Sequence, residues 1–224
     1  FLPWQAVQNL MGRSEVPRRL IGAAYDERSL LQRRDQPEFG RTLLAFYVLK
    51  LQLYYLFEDY PQALEIAAAT QTLMRSYTGA LGQPFYCLYA ALAQLAACPE
   101  TPGFRRWRLL REAWRHQRKL KKWAQHGPAN CLHKFYLVQA ERQRVLGRDA
   151  PAMKRYDQAI ALAGKHGYIQ EEALANELAA EFYRARGNAP IAKAYMREAC
   201  ACYARWGALA KVRQLERRYP RWLA

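Results

Sequence analysis

From residue 128 to residue 207 the chain repeats itself with a fixed step of 40, and steps of that size mark stacked helical units. Gly147 recurs as Gly187, Ala152 as Ala192 and Ala159 as Ala199, while Gly127 is followed in step by Gly167 and Gly207. Ala140 with Ala180, Glu141 with Glu181 and Arg144 with Arg184 keep the same register. Each block reads as helix, turn, helix. The first helix carries a small residue at its middle, where a neighbour must approach closely, and a glycine follows its end, where a helix stop favours positive φ. The second shows Ala152, Tyr156, Ala159 and then Ala192, Met196, Ala199, an i, i+4, i+7 spacing that lies on one helical face.

Small residue, glycine, alanine, bulky residue, alanine is the order of tetratricopeptide-like repeats, here with longer helices than their usual 34-residue step allows. The competing architecture is an ordinary antiparallel bundle, which supplies no reason for three glycines to keep step. The fold class predicted is all-α, a tetratricopeptide-like helical-hairpin repeat array, or α-solenoid, with a C-terminal capping helix. Composition agrees. Of the 224 residues 51% are hydrophobic, many of them Ala and Leu, and no segment alternates as a strand would. Nothing approaches the roughly 18 uninterrupted apolar residues of a membrane span, so no membrane insertion is expected. The chain opens on Phe1 without a Met or a visible signal peptide, so the expectation is a segment of a longer cytoplasmic protein.

One continuous domain over 1–224 is predicted, since a repeat array counts as one unit. Residues 1–35 form irregular N-terminal helices, with a helix tail at 4–11 and a short helix near 26–34. Helix pairs follow at 38–76, 84–125, 129–166 and 170–206, and a capping helix at 208–218. The stretch TLLAFYVLKLQLYYLF is apolar around most of its circumference, as is FYCLYAALAQLAA, and both are expected to be covered on more than one side. Gly79, Gly82 and Pro84 supply a turn, and Pro61 sits in a first turn, where its missing N–H costs nothing.

The loudest chemical signal is a net charge of +16. Residues 104–125, FRRWRLLREAWRHQRKLKKWAQ, place Arg108, Arg111, Arg115, Arg118, Lys119 and Lys122 within about 100° of arc, opposite Leu109, Leu110, Ala113, Leu120 and Ala124. Trp107 and Trp114 border this basic stripe, which could contact phosphates while stacking on bases. The alternative is a solvated face whose arginine stems cover apolar surface. No zinc finger, RNA-binding signature or helix-turn-helix is present.

Catalysis finds no foothold. There is no phosphate loop, nucleophile elbow or kinase signature, and Glu171 and Glu172 open a helix where carboxylates suit the dipole. His116, His126, His133 and His166 stand apart and are expected to be caps or surface residues. The five cysteines show neither CxxC pairs nor a histidine cluster, so neither metal nor disulfides nor any cofactor is expected. Binding is what stacked helix pairs do well, because their first helices line a concave surface. By repeat register Lys134, Glu141, Arg144, Glu181 and Arg184 should face it and hold a peptide or a small polar ligand. The alternative is that Glu141 with Arg144 and Glu181 with Arg184 are i, i+3 pairs that only support their own helices.

The strings KKWAQHGPANCLHKFYLVQAERQRVLG, EEALANELAAEFYRARG and YARWGALAKVRQLERRYP resemble the helical region that follows the AAA/STAND-type ATPase module of large bacterial proteins joining a serine/threonine kinase, an ATPase, a GAF sensor and a histidine kinase. The resemblance spans most of the chain and is densest from Lys121 to Pro220. It implies a non-catalytic protein-interaction or ligand-sensing arm of a signal-transduction ATPase, with a partner protein or neighbouring domains of the same chain as its contacts. Polyanion binding, to nucleic acid, through 104–125 is the alternative function. None of the family's catalytic residues has a counterpart here, because its kinase, ATPase and phosphoacceptor motifs belong to other domains.

Overall fold

The computed structural model describes residues 2–34, 36–76 and 82–223. Among these, twelve α-helices and two short 3-10 turns make up the regular structure, beside one isolated antiparallel bridge between Ile21 and Asp26. The chain enters through α1 (Leu2–Leu10) and α2 (Glu27–Leu31). It continues as α3 (Gly40–Leu56), α4 (Tyr60–Ser76), α5 (Gln83–Ala97), α6 (Gly103–His126), α7 (Pro128–Val145) and α8 (Asp149–Lys165). It ends with α9 (Ile169–Ala185), α10 (Ala189–Trp206), α11 (Leu209–Arg218) and α12 (Pro220–Leu223). Gly79, assigned above to a turn, lies outside the described residues.

Local chemistry sets the boundaries. Proline occupies the first turn of α5, α7 and α10, and the Asn188 side chain accepts from the Ile191 N–H at 3.4 Å to cap α10. Gly147 and Gly187 end α7 and α9 with φ of 70° and 73°, their N–H groups reaching the carbonyls of Arg144 at 3.0 Å and Arg184 at 3.1 Å. Gly127 keeps the 40-residue step without keeping the geometry, since its φ is −139°.

The same turn also joins α3 to α4, and glycine is absent from it. Glu58 stands at the glycine position with φ 62°, donating its N–H to the Tyr55 carbonyl at 3.0 Å. The next N–H, of Asp59, reaches Tyr54 at 2.8 Å as that of Arg148 reaches Gln143 at 2.9 Å. Ala63 then follows Glu58 by five residues, as Ala152 follows Gly147 and Ala192 follows Gly187, and all three alanines are fully buried.

From α3 onward each helix packs on its neighbours in sequence, and the odd-numbered helices also pack on one another, α3 on α5, α5 on α7 and α7 on α9. These make an inner layer, with α4, α6, α8 and α10 outside it. α5, buried from Tyr86 to Leu95, lies in the middle of that layer. The row then bends until its ends meet, because α11 packs on α1 and the Lys211 ammonium donates to the Leu56 carbonyl at 2.7 Å. Where a hollow was expected along the first helices, Tyr55, Tyr89, Tyr156 and Tyr203 fill the centre, Tyr55 meeting Tyr89 edge-on at 5.7 Å.

Ala140 and Ala180 are wholly buried, so helix approach at mid-block leaves room for a methyl group only. Ala180→Leu should lower stability by about 1–3 kcal/mol in urea unfolding. Ala150→Leu, on the exposed first turn of α8, should change it by less than about 0.5 kcal/mol.

Candidate functional site

Most of the predicted ligand-facing residues converge. Glu141 and Arg144 at the end of α7, and Glu181 and Arg184 at the end of α9, line one cavity of about 240 Å³ together with Tyr55, Glu58, Tyr60, Glu177, Arg186 and Arg218. The odd helices run side by side, so a 40-residue step brings the last turns of α7 and α9 to the same rim.

Each charge at this rim has a partner. Glu141, 1% exposed, takes a two-pronged contact from Arg144, Nε to Oε1 at 3.0 Å and Nη2 to Oε2 at 2.7 Å, and accepts from the Tyr156 hydroxyl. The Glu141 carboxylate pushes the Arg144 guanidinium pKa above its usual range, against the effect of burial. Arg184 Nε donates to Glu181 at 2.9 Å, and Glu181 also accepts from the Tyr219 hydroxyl. Arg218 reaches Glu58 at 2.6 Å and Arg186 pairs with Asp149. Burial and then neighbouring carboxylates raise the pKa of Tyr60 and Tyr219, so both phenols stay protonated donors at neutral pH. The i, i+3 pairs support their helices and line a cavity at once.

Lys134 is a correction. It lies away from the cavity, buried, with its ammonium 3.1 Å from Glu171 Oε1, 3.1 Å from the Asn130 carbonyl and 2.9 Å from His133 Nε2, over the Tyr168 ring. Its register partner in the next block is Leu174, also buried, which marks the position as interior. Glu171 opens α9 as expected, yet it is buried and its carboxyl pKa is raised by desolvation in spite of Lys134.

Two histidines also depart from expectation. His116 is buried against the edge of Tyr86 at 5.3 Å, and burial, then the Lys119 charge, pushes its pKa down to about 4. His133 stacks on Tyr168 at 4.5 Å, and burial followed by Lys134 takes it to about 3. Both face inward from within their helices and are buried, not caps or surface residues.

The second candidate is the outward face of α6. Arg108, Arg111, Arg115, Arg118, Lys119 and Lys122 are all exposed, and among the described residues none of them forms an ion pair. Phe104, Trp107 and Trp114 are 74%, 52% and 40% exposed beside them. Arg111 lies over the Trp107 ring and Arg118 over the Trp114 ring, each at 4.8 Å, and Phe104 stacks on Trp107. Ala113, Leu120 and Ala124 face the interior as the projection requires.

Sequence reasoning missed Glu58, Glu177, Lys211 and Arg218. Glu177 and Lys211 meet at 2.7 Å in the buried centre, and each stands among apolar neighbours on its helix, a signal that could have been read. All five cysteines are free thiols, and burial pushes Cys87 up to about 12. Among the described residues no group of three His, Cys, Asp or Glu side chains has metal-binding geometry, and no helix is long and apolar enough to cross a membrane.

A hybrid signal transduction histidine kinase, G, of Dictyostelium discoideum is 47% identical to this chain over 60 residues, 27% of the chain and 2% of that protein. No family model matches the chain, and no solved structure does.

Glu58 adopts a conformation that glycine takes at the equivalent turns after α7, α8, α9 and α10. Glu58→Ala loses the carboxylate and keeps the strain; Glu58→Gly loses the carboxylate and relieves it. The glycine variant should therefore be the more stable of the two by about 1 kcal/mol in urea unfolding. A pH series tests the buried imidazoles. Unfolded histidine binds its proton near pH 6.5, whereas folded His116 does so only near pH 4, so between these values the unfolded state holds more protons. Stability should fall with falling pH across that window, by about 1.4 kcal/mol per unit for such a group. Glu171 acts in the opposite direction, so the slope is read as the difference between wild type and His116→Gln, which should be the flatter.

Proposed function

We propose that this chain is a tetratricopeptide-like array acting as a non-catalytic, ligand-sensing or protein-interaction module of a cytoplasmic signalling protein. Likeness over 60 residues to a signal transduction histidine kinase supports the signalling context. Turns repeated after α3, α7 and α9 and the inner layer of odd helices support the repeat architecture. On this reading the parent protein carries kinase and ATPase domains, and the module turns over nothing itself.

One observation carries the sensing role. The cavity that holds Glu141, Arg144, Glu181 and Arg184 lies where the two ends of the row meet, and its wall includes the Arg218–Glu58 pair that joins them. An occupant there touches α3, α7, α9 and α11 together or the turns that end them. Its binding energy is thus coupled to how firmly the ends are clasped, which is what a sensor needs. Alternating carboxylates and guanidiniums suit a small ligand bearing both charges. A second reading rests on the exposed, unpaired cations of α6, the state of a surface that meets a polyanion.

Free L-arginine and L-glutamate, used as probes in thermal unfolding of the whole chain, test the cavity. A midpoint that rises with the concentration of either, and does not rise in Arg144→Gln or Arg184→Gln, is the expected result. An unchanged wild-type midpoint with both, or the same rise in the variants, overturns it.

A further inference from the structure

Outside α6 ion pairs with carboxylates engage ten lysines and arginines, whereas among the described residues none engages a cation of α6. Nine Lys and Arg lie along its 24 residues against a single acid, Glu112, whose carboxylate sits 3.4 Å from the Gln94 amide. At its N-terminal end Arg106 donates to the Val145 carbonyl at 3.2 Å, tying α6 to the end of α7.

Within this field the outward ridge has an order. Trp107, Arg111, Trp114 and Arg118 alternate at steps of four and three, each guanidinium lying over the preceding indole. The two indoles stand seven residues, about 10 Å, apart along the axis. Phe104 extends the aromatic series at one end and Lys122 the cationic series at the other. The ridge is a line in which flat rings and cations take turns. A polymer complementary to such a line alternates flat rings and anions, with its rings free to stack.

We infer that the outward face of α6 is a docking surface for single-stranded nucleic acid, an inference that rests on the polyanion reading of α6 and not on the cavity. Bases stack on the exposed rings of Phe104 and Trp114, the Trp107 ring between Phe104 and Arg111 holding that platform in place, while Arg111, Arg118 and Lys122 meet the phosphates between them. Duplex fits less well, because its bases are already stacked and present no faces to the indoles. An anionic bilayer fits less well too, because rings lying under guanidinium groups make a platform and not a wedge that enters hydrocarbon.

The test uses the whole chain with labelled oligo-dT, oligo-rU, a duplex of equal length and phosphatidylserine-containing vesicles, each at two salt concentrations, with circular dichroism confirming the fold of every variant. Single strands should bind at least about tenfold more tightly than duplex and quench indole fluorescence, with affinity falling as salt rises. Trp107→Ala with Trp114→Ala should weaken single-strand binding about tenfold and leave the salt slope unchanged. Arg111→Gln with Arg118→Gln should flatten that slope by about 0.7 per lost phosphate contact. Equal affinity for duplex, or tryptophan variants that bind like wild type, overturns the single-strand inference while leaving α6 a polyanion surface. Binding to vesicles alone, or to none of the probes at low salt, overturns both.

Discussion

The closed form of the molecule hangs on one buried ammonium. Lys211, 1% exposed, donates at 2.7 Å to the Leu56 carbonyl at the end of α3 and lies 2.7 Å from Glu177 on α9, near the Tyr203 ring. A charge in such a place is tolerable only with an anion and a dipole end beside it, and it has both. Removing either partner from a buried pair of this kind costs about 3–5 kcal/mol, because the other charge is left stranded. Residues 155 apart in sequence are thereby joined, and the chain-entropy cost of that closure rises only slowly with loop length. Once the ends are fixed, the inner faces of α3, α7 and α9 point at a common centre that tyrosines fill, three of their hydroxyls finding a partner: Tyr156 on Glu141, Tyr203 on Glu177, Tyr89 with Gln52.

Legibility in the sequence followed the range of the interactions concerned. The helices from α7 to α10 could be read closely because glycine, alanine and aromatic positions kept a fixed step, and each of those residues answers a local demand. The α3–α4 turn was legible from Pro61, but its left-handed residue was not, because a glutamate does a glycine's work there. Its left-handed conformation is roughly 1–2 kcal/mol uphill for a side chain, and the carboxylate's half-exposed contact with Arg218 offsets part of that. Lys134 was misplaced because repeat register fixes which residues share a rung, not whether that rung faces a cavity or a neighbouring helix. Glu141 and Glu181 share a rim and could be paired from sequence; the arrival of Arg218 and Glu58 at that rim depends on the closure, which has no periodic signature.

The two candidate surfaces differ in how their charge is disposed. At the cavity every guanidinium faces a carboxylate at short range, so the field there is local and falls away within a few ångströms. Along α6 the cations add up instead. Arg111 with Arg115, Arg115 with Lys119 and Arg118 with Lys122 are like-charge i, i+4 pairs, each working against the helix by about 0.2–0.5 kcal/mol. Burial of Ala113, His116, Gln117, Leu120 and Ala124 on the other side holds the helix in spite of them. Nothing in the packing asks for those charges, since α4, α8 and α10 occupy the same outer layer without such a load. A cost in repulsion that the fold does not need is one that an outside anion can relieve, and the relief is greatest for a partner whose negative charges run in a line along the helix.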